Sequence, residues 1–209
     1  MKKLLLVLFM SCLMVLGSAV SASATGVYAD FMIGGKVEDD WYGDGDANDT
    51  YIGIDLPIDE FLINLELLTG DWDQRGNRND DFSGYDLKGG YRILNDRDLR
   101  MYLTLSSYHR DFKDSGQEFS GILLGADAIA NLSKKATLQG SIGFSLSGRF
   151  ERDGYHHDAD LLNLKLKLNY LLAKDIYASL GYRYYGFKID DLDQEVKAKG
   201  LTLGVNFKL

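Results

Sequence analysis

The chain has 209 residues, a formal net charge of −8, one cysteine and one proline. That length suits a single domain, and with one proline and no long Ser/Pro/Gly tract no linker divides it. The acidic balance argues against a nucleic-acid partner, and a lone cysteine excludes a disulfide framework within the chain.

Met1-Lys2-Lys3 opens the chain and is followed by an apolar run from Leu4 to Leu16, then Gly17, Ser18 and the small-residue stretch Ala22-Ser23-Ala24. A basic start, a short apolar core and an Ala-x-Ala site are the three parts of a secretory signal peptide. The run is short for a membrane-spanning helix. Residues 1–24 are therefore expected to be a leader cleaved after Ala24, leaving 25–209 as the folded domain. Cys12 lies in the leader, and the residues before it do not favour a lipoprotein site. Loss of Lys2 and Lys3 takes the formal charge from −8 to −10.

The rest of the chain alternates with period two. Segments 27–36, 50–58, 61–70, 83–93, 98–109, 119–132 and 136–148 do so in turn. Then Leu162, Leu164, Leu166, Leu168 and Tyr170 alternate with Asn163, Lys165, Lys167 and Asn169. Segment 176–188 follows, and the last strand sets Leu201, Leu203, Val205, Phe207 and Leu209 against Gly200, Thr202, Gly204, Asn206 and Lys208. Strict alternation marks strands with one apolar face, and no stretch sustains a helical period. The fold class is all-β: a closed antiparallel up-and-down barrel of about ten strands, with eight as the alternative.

Connections alternate in length. Pro57 to Glu60, Asn95 to Asp98, Ser133 to Lys135 and Ala173 to Asp175 read as tight turns. Lys36 to Asp49, Gly70 to Phe82, Arg110 to Glu118, Arg149 to Ala159 and Lys188 to Val196 read as longer polar loops. Short turns on one rim and long loops on the other are the habit of a transmembrane barrel, and an even strand number puts both termini on the short-turn, periplasmic side. A soluble barrel alternates too, with its apolar face inward. Glycines on the polar face (Gly34, Gly53, Gly84, Gly90, Gly121, Gly125, Gly143, Gly181, Gly200 and Gly204) favour a crowded interior of roughly 10 Å radius, set by strand spacing and tilt. Aromatics gather at both strand ends and read as two girdles. Phe61, Tyr91, Tyr170, Tyr177 and Phe207 form the lower one. Trp41, Trp72, Phe82, Tyr85, Phe119, Phe150, Tyr184 and Phe187 form the upper one.

The ending Thr202-x-Gly204-x-x-Phe207-x-Leu209 resembles the C-terminal assembly signal of bacterial outer-membrane proteins, with leucine where such proteins most often carry an aromatic. The chain thus looks like a small bacterial outer-membrane β-barrel protein. The resemblance implies insertion by the barrel-assembly machinery and contact with outer-membrane lipid and lipopolysaccharide. It implies no particular activity.

The inward face is expected to hold Asp30, Asp55, Glu66, Asp86 and Asp127 with Lys88, Arg92, Arg100, Lys165, Lys167 and Arg183. The near balance of sign suggests pairing, with Glu66 beside Lys88 in one layer and Lys165, Lys167 and Arg183 meeting acids such as Asp86 and Asp127. The set reads either as a plug of ion pairs or as a narrow charge-lined path. Asp44-x-Asp46-x-Asn48 in the acidic first loop has the donor spacing of a calcium loop, but lacks the glycine of an EF-hand; no other cofactor is expected. His156-His157-Asp158-x-Asp160, with Asp71 and Asp73, has the residue types of omptin proteases without aligning to their motifs; a carboxylate-oriented His can activate water. Ser107 and His109 share an outward face, as a lipid-A acylase would require.

The leading expectation is a non-enzymatic envelope barrel with a structural or surface-interaction role, a charge-plugged interior and acidic extracellular loops whose ligand the sequence does not name. The alternatives are a narrow porin-like channel for ions or small solutes and an omptin-like rim hydrolase.

Overall fold

The structure, a computed structural model, describes residues 26–40, 42–74, 78–152 and 154–209. The leader expected at 1–24, with Cys12, and Trp41 of the upper girdle lie outside the described residues. Ten strands follow one another: β1 (Gly26–Asp39), β2 (Gly45–Ile58), β3 (Phe61–Gln74), β4 (Arg78–Asn95), β5 (Leu99–Phe112), β6 (Gln117–Asn131), β7 (Ala136–Arg152), β8 (Tyr155–Ala173), β9 (Ile176–Ile189) and β10 (Gln194–Lys208). Each pairs antiparallel with its neighbours in sequence, and β1 closes on β10 to complete the barrel. Ten strands exclude the eight-strand alternative. Gly26 lies opposite Lys208, so both ends of the barrel meet at the short-turn rim.

The short turns form where expected. Asp59 (φ 51°) ends the β2–β3 strand pair and Asp175 (φ 60°) the β8–β9 pair, a left-handed conformation that aspartate tolerates better than most residues. The loops at the other rim are shorter than the sequence suggests, because the strands run on into them. β1 continues to Asp39 and β2 starts at Gly45; β7 and β8 extend to Arg152 and from Tyr155; a single 3-10 turn at Asp190–Leu192 joins β9 to β10.

The cause of that misreading organises the whole molecule. In the half nearer the short turns, apolar side chains point out and polar ones point in. On β3, Phe61, Ile63 and Leu65 are exposed while Asn64 and Glu66 are buried. On β8, Leu166 and Leu168 are exposed, Leu162 and Leu164 share their face, and Lys167 and Asn169 are buried. From Leu162 to Leu172 this belt is roughly 25 Å tall, at ~3.3 Å per residue and ~40° tilt, the height of a hydrocarbon layer. Nearer the long connections the faces exchange roles. Asp71 and Asp73 point out and Trp72, 3% exposed, points in. Arg149 and Glu151 flank a buried Phe150, Asp111 precedes a buried Phe112, and Lys188 follows a buried Phe187. This upper section, the collar, has the polarity of a soluble barrel.

The girdles are corrected accordingly. Phe61, Tyr91, Tyr170 and Phe207 do form an exposed lower ring, but Tyr177 faces the lumen. Of the upper set, Tyr85 is exposed on the outer face and Tyr184 shares that face, whereas Trp72, Phe82, Phe119, Phe150 and Phe187 are inside. Among the glycines, Gly34 is not a space-maker. It sits at a register break in β1 with φ 60°. Gly53 and Gly204 are: a β-carbon at either would collide with the Tyr28 ring or the Asp30 carboxylate.

Candidate functional site

At mid-height in the belt, Glu66 on β3 accepts four donors. The two terminal nitrogens of Arg183 (β9) approach at 2.6 Å each, the Tyr28 hydroxyl (β1) at 2.6 Å and Lys165 Nζ (β8) at 3.1 Å. Asp30 (β1) takes Lys167 Nζ at 2.8 Å and the Ser179 hydroxyl at 2.9 Å, with Arg183 at 3.6 Å. β3 and β8 lie five strands apart on the closed sheet, so the Glu66–Lys165 pair crosses the lumen. A forked guanidinium on a carboxylate is among the stronger side-chain pairings, and here every charged partner is met by others. Arg183 also stacks 3.6 Å over the Tyr51 ring, and Lys167 lies 4.1 Å from the Tyr28 ring centre.

A second cluster sits lower. Lys88 (β4) donates to both oxygens of Asp127 (β6) at 3.1 Å and to the Ser141 hydroxyl at 2.8 Å. Asp55 accepts from Asn64 at 2.7 Å. Most of the interior set, though not Arg92 and Arg100, is thus brought together, but with partners other than those the sequence suggested. Glu66 takes Arg183 and Lys165 rather than Lys88, and Lys165, Lys167 and Arg183 take Glu66 and Asp30 rather than Asp86 and Asp127. Asp86 is buried in the same half. Arg92 and Arg100 point inward at the lower rim, partly exposed.

Above the charge layer the collar is packed with rings. Phe119 lies 4.2 Å from Phe187 and 4.8 Å from Phe150 between ring centres; Trp72 lies 4.7 Å from Phe112; Phe82 lies 5.3 Å from Phe112. Such offset and tilted contacts are the favoured geometries of aromatic pairs. Enclosed among them is Arg110 of β5, fully buried, its guanidinium 4.3 Å from the Phe82 ring centre, 4.6 Å from Tyr185 and 5.3 Å from Trp72. Its nearest carboxylate is Asp49 at 3.9 Å, which itself accepts from the Tyr51 hydroxyl at 2.6 Å and from Trp72 Nε1 at 3.2 Å. Cation–π attraction is strongest for a cation removed from water. Sequence reading missed Arg110 and Asp49 by assigning both to loops. The signal was present in Tyr108-x-Arg110-x-Phe112, an inward alternation that continues past the last outward leucine.

Below the charge layer the lumen opens into a cavity of about 680 Å³ at the short-turn rim. Among the described residues the lumen is thus ring-filled at the collar, ion-paired at mid-height and open at the short-turn rim.

The rim candidates do not converge. His157 faces Asp191 at 3.7 Å and His156 faces Glu151 at 3.1 Å. Asp158 lies opposite Arg149, and Asp160 accepts from Ser145 at 3.1 Å. Asp71 and Asp73 point outward from β3, across the barrel from β8. His109 lies 3.4 Å from Glu118 and stacks on Tyr85, on the same face as Ser107. Asp46 and Asn48 share the exposed face of an extended strand, bonded to Lys36 and Asp71, with Asp44 before the strand begins. Among the described residues no three acidic, His or Cys side chains gather as a metal site. At the terminus, Thr202 and Gly204 face the lumen while Phe207 and Leu209 are exposed.

No protein-family model and no curated protein matches the chain in sequence. Solved structures do resemble it. The outer membrane protease OmpT of Escherichia coli is similar with a TM-score of 0.67 at 11% identity, covering 90% of this chain and 98% of that one. The β domain of the Bordetella autotransporter BrkA is similar with a TM-score of 0.52 at 11% identity, covering 90% and 100%. At such identity the likeness is one of fold, and the architecture this chain shares is that of outer-membrane β-barrels.

Proposed function

We propose that the protein is an integral outer-membrane barrel with a non-enzymatic, structural or surface-interaction role, closed to solute passage and presenting its acidic collar outside the cell. The observation that carries this reading is the ring-packed collar directly above an ion-paired layer that reaches from wall to wall. The apolar belt, with Tyr85 and Tyr184 at its upper edge, supplies the contact with lipid and lipopolysaccharide. Export by the leader, periplasmic termini and assembly guided by Thr202, Gly204, Phe207 and Leu209 complete the proposal. Deletion of Phe207 to Leu209 is expected to abolish membrane insertion while leaving export intact.

Planar-bilayer recording tests the closed lumen. The wild type is expected to conduct almost nothing, and Phe119→Ala with Phe187→Ala to conduct measurably more. Steady conductance by the wild type would reject the closed lumen in favour of the narrow porin-like channel.

A further inference from the structure

The cavity at the short-turn rim has a charge that the rest of the chain does not predict. The protein carries a net charge of −8, yet of the ten charged side chains lining the cavity seven are basic. Lys88 is matched by Asp127, Lys165 is matched by Glu66, and Asp55 is held by Asn64. What remains is Arg97, Arg100, Lys134, Lys135 and Lys208 facing Asp98 alone. Among the described residues none of these five bases has an ion-pair partner. Arg100 is the informative one. It points into the lumen beside Tyr102 at the base of β5, whereas the others ring the mouth on or beside the turns. Its position puts a permanent positive charge just inside the mouth of a concave cavity walled by the strands. Such a cleft focuses its field and concentrates ions of the opposite sign. Gln139 and the mutually hydrogen-bonded Asn206, Asn169 and Thr137 add neutral polar groups to the wall. At about 680 Å³ the volume is that of a small-molecule site.

We propose that this cavity is a binding vestibule for a small multivalent oxyanion bearing phosphate or carboxylate groups, with Arg100 just inside its rim and the turn bases around its mouth. Under the topology proposed above, the vestibule faces the periplasm, but the binding itself does not depend on that topology or on whether the barrel conducts.

The described chain has no cysteine, so Gln139→Cys places a single reporter thiol on the vestibule wall. The protein is reconstituted in nanodiscs of zwitterionic phosphatidylcholine, which keeps headgroup charge out of competition and exposes both faces. Modification is compared between an anionic sulfonatoethyl and a cationic trimethylammonium-ethyl methanethiosulfonate, with pyrophosphate and citrate as competing probes. The anionic reagent is expected to react about tenfold faster than the cationic one, a modest focusing effect. Pyrophosphate, citrate or both should protect the thiol saturably, beyond sodium chloride at matched ionic strength. Arg100→Gln should abolish the saturable protection. The exposed turn pair Lys134→Gln with Lys135→Gln, which does not endanger folding, should slow the anionic reagent severalfold. Equal reaction of the two reagents, or protection no greater than that of salt, would overturn the vestibule. A conducting wild type that still shows saturable protection would overturn only the closed-lumen reading.

Discussion

Belt and collar are made from the same strands with opposite faces buried. In the belt Glu66, Asn64 and Lys167 are inside and Leu65, Leu166 and Leu168 outside; in the collar Trp72, Phe119 and Phe187 are inside and Asp73, Glu118 and Lys188 outside. Strand geometry is the same in both, because alternation is a covalent property of extended chain. What differs is the surroundings each half is built for. Against lipid, apolar side chains gain nothing by turning inward, and polar ones must be enclosed with partners. Against water the hydrophobic effect drives rings to the interior. The exchange between Glu66 and Asp71 on β3 marks the expected plane where hydrocarbon gives way to water.

The comparison breaks first at its two interiors. Glu66→Gln leaves the buried Arg183 without the carboxylate it hydrogen-bonds, Asp30 at 3.6 Å remaining, and is expected to cost about 3–5 kcal/mol in chemical unfolding. Adding Arg183→Met should recover part of that loss, since the uncompensated charge goes; an additive double variant would show that the pair is not coupled. In the collar, Phe119→Ala removes a ring in contact with Phe112, Phe150 and Phe187, a change worth about 3–5 kcal/mol in a packed core. Hydrogen exchange should then rise at collar amides while the belt keeps its protection. Uniform loss along the strands would mean that the halves do not fold as separable layers.

The two exteriors sharpen the comparison. Leu166→Arg puts a cation on the lipid face near mid-belt and should destabilise by about 2–4 kcal/mol. Asp73→Arg on the collar should stay within about 0.5 kcal/mol, as surface changes do. Equal penalties in folding titrations from urea into lipid bilayers would place the membrane boundary elsewhere.

The smallest effect belongs to an exposed collar pair. The Lys199 ammonium hydrogen-bonded to Glu38 holds that carboxyl below the usual glutamate value, with burial opposing. A carboxyl with a lowered folded pKa contributes stability above its ordinary pKa of about 4.3 and loses it as pH falls through the lowered value. Lys199→Gln should bring the Glu38 titration back toward the ordinary value, followed by carboxyl NMR. The thermal midpoint at neutral pH should not move, since exposed pairs count for little. An unchanged Glu38 titration would show that the pair does not form in solution.

Much of the belt was legible because lipid-facing leucines leave an unbroken period-two signal. Leu162 to Leu168 pointed outward on the pattern alone, and the inward set with Asp30, Glu66, Lys167 and Arg183 followed by parity. The collar was not legible under the same rule. Asp71-Trp72-Asp73 alternates as strictly as any belt segment, but with apolar meaning inward, so by the belt's rule it reads as loop and its tryptophan as part of a girdle. Pairing was missed for another reason. Glu66 and Lys88 lie close in a flat drawing of neighbouring strands, whereas strand tilt and closure carry Arg183 and Lys165 across the lumen to Glu66.

The sequence by itself determined that the chain is a succession of two-faced strands and which residues share a face, since these follow from bond geometry; the count of ten, against eight, was decided by the structure. Which face is buried at each height, which charges meet across the lumen and where the interior holds rings, ion pairs or open space were decided only by the tertiary structure. Closure alone creates an inside, and strand stagger alone sets which side chains arrive there at the same level.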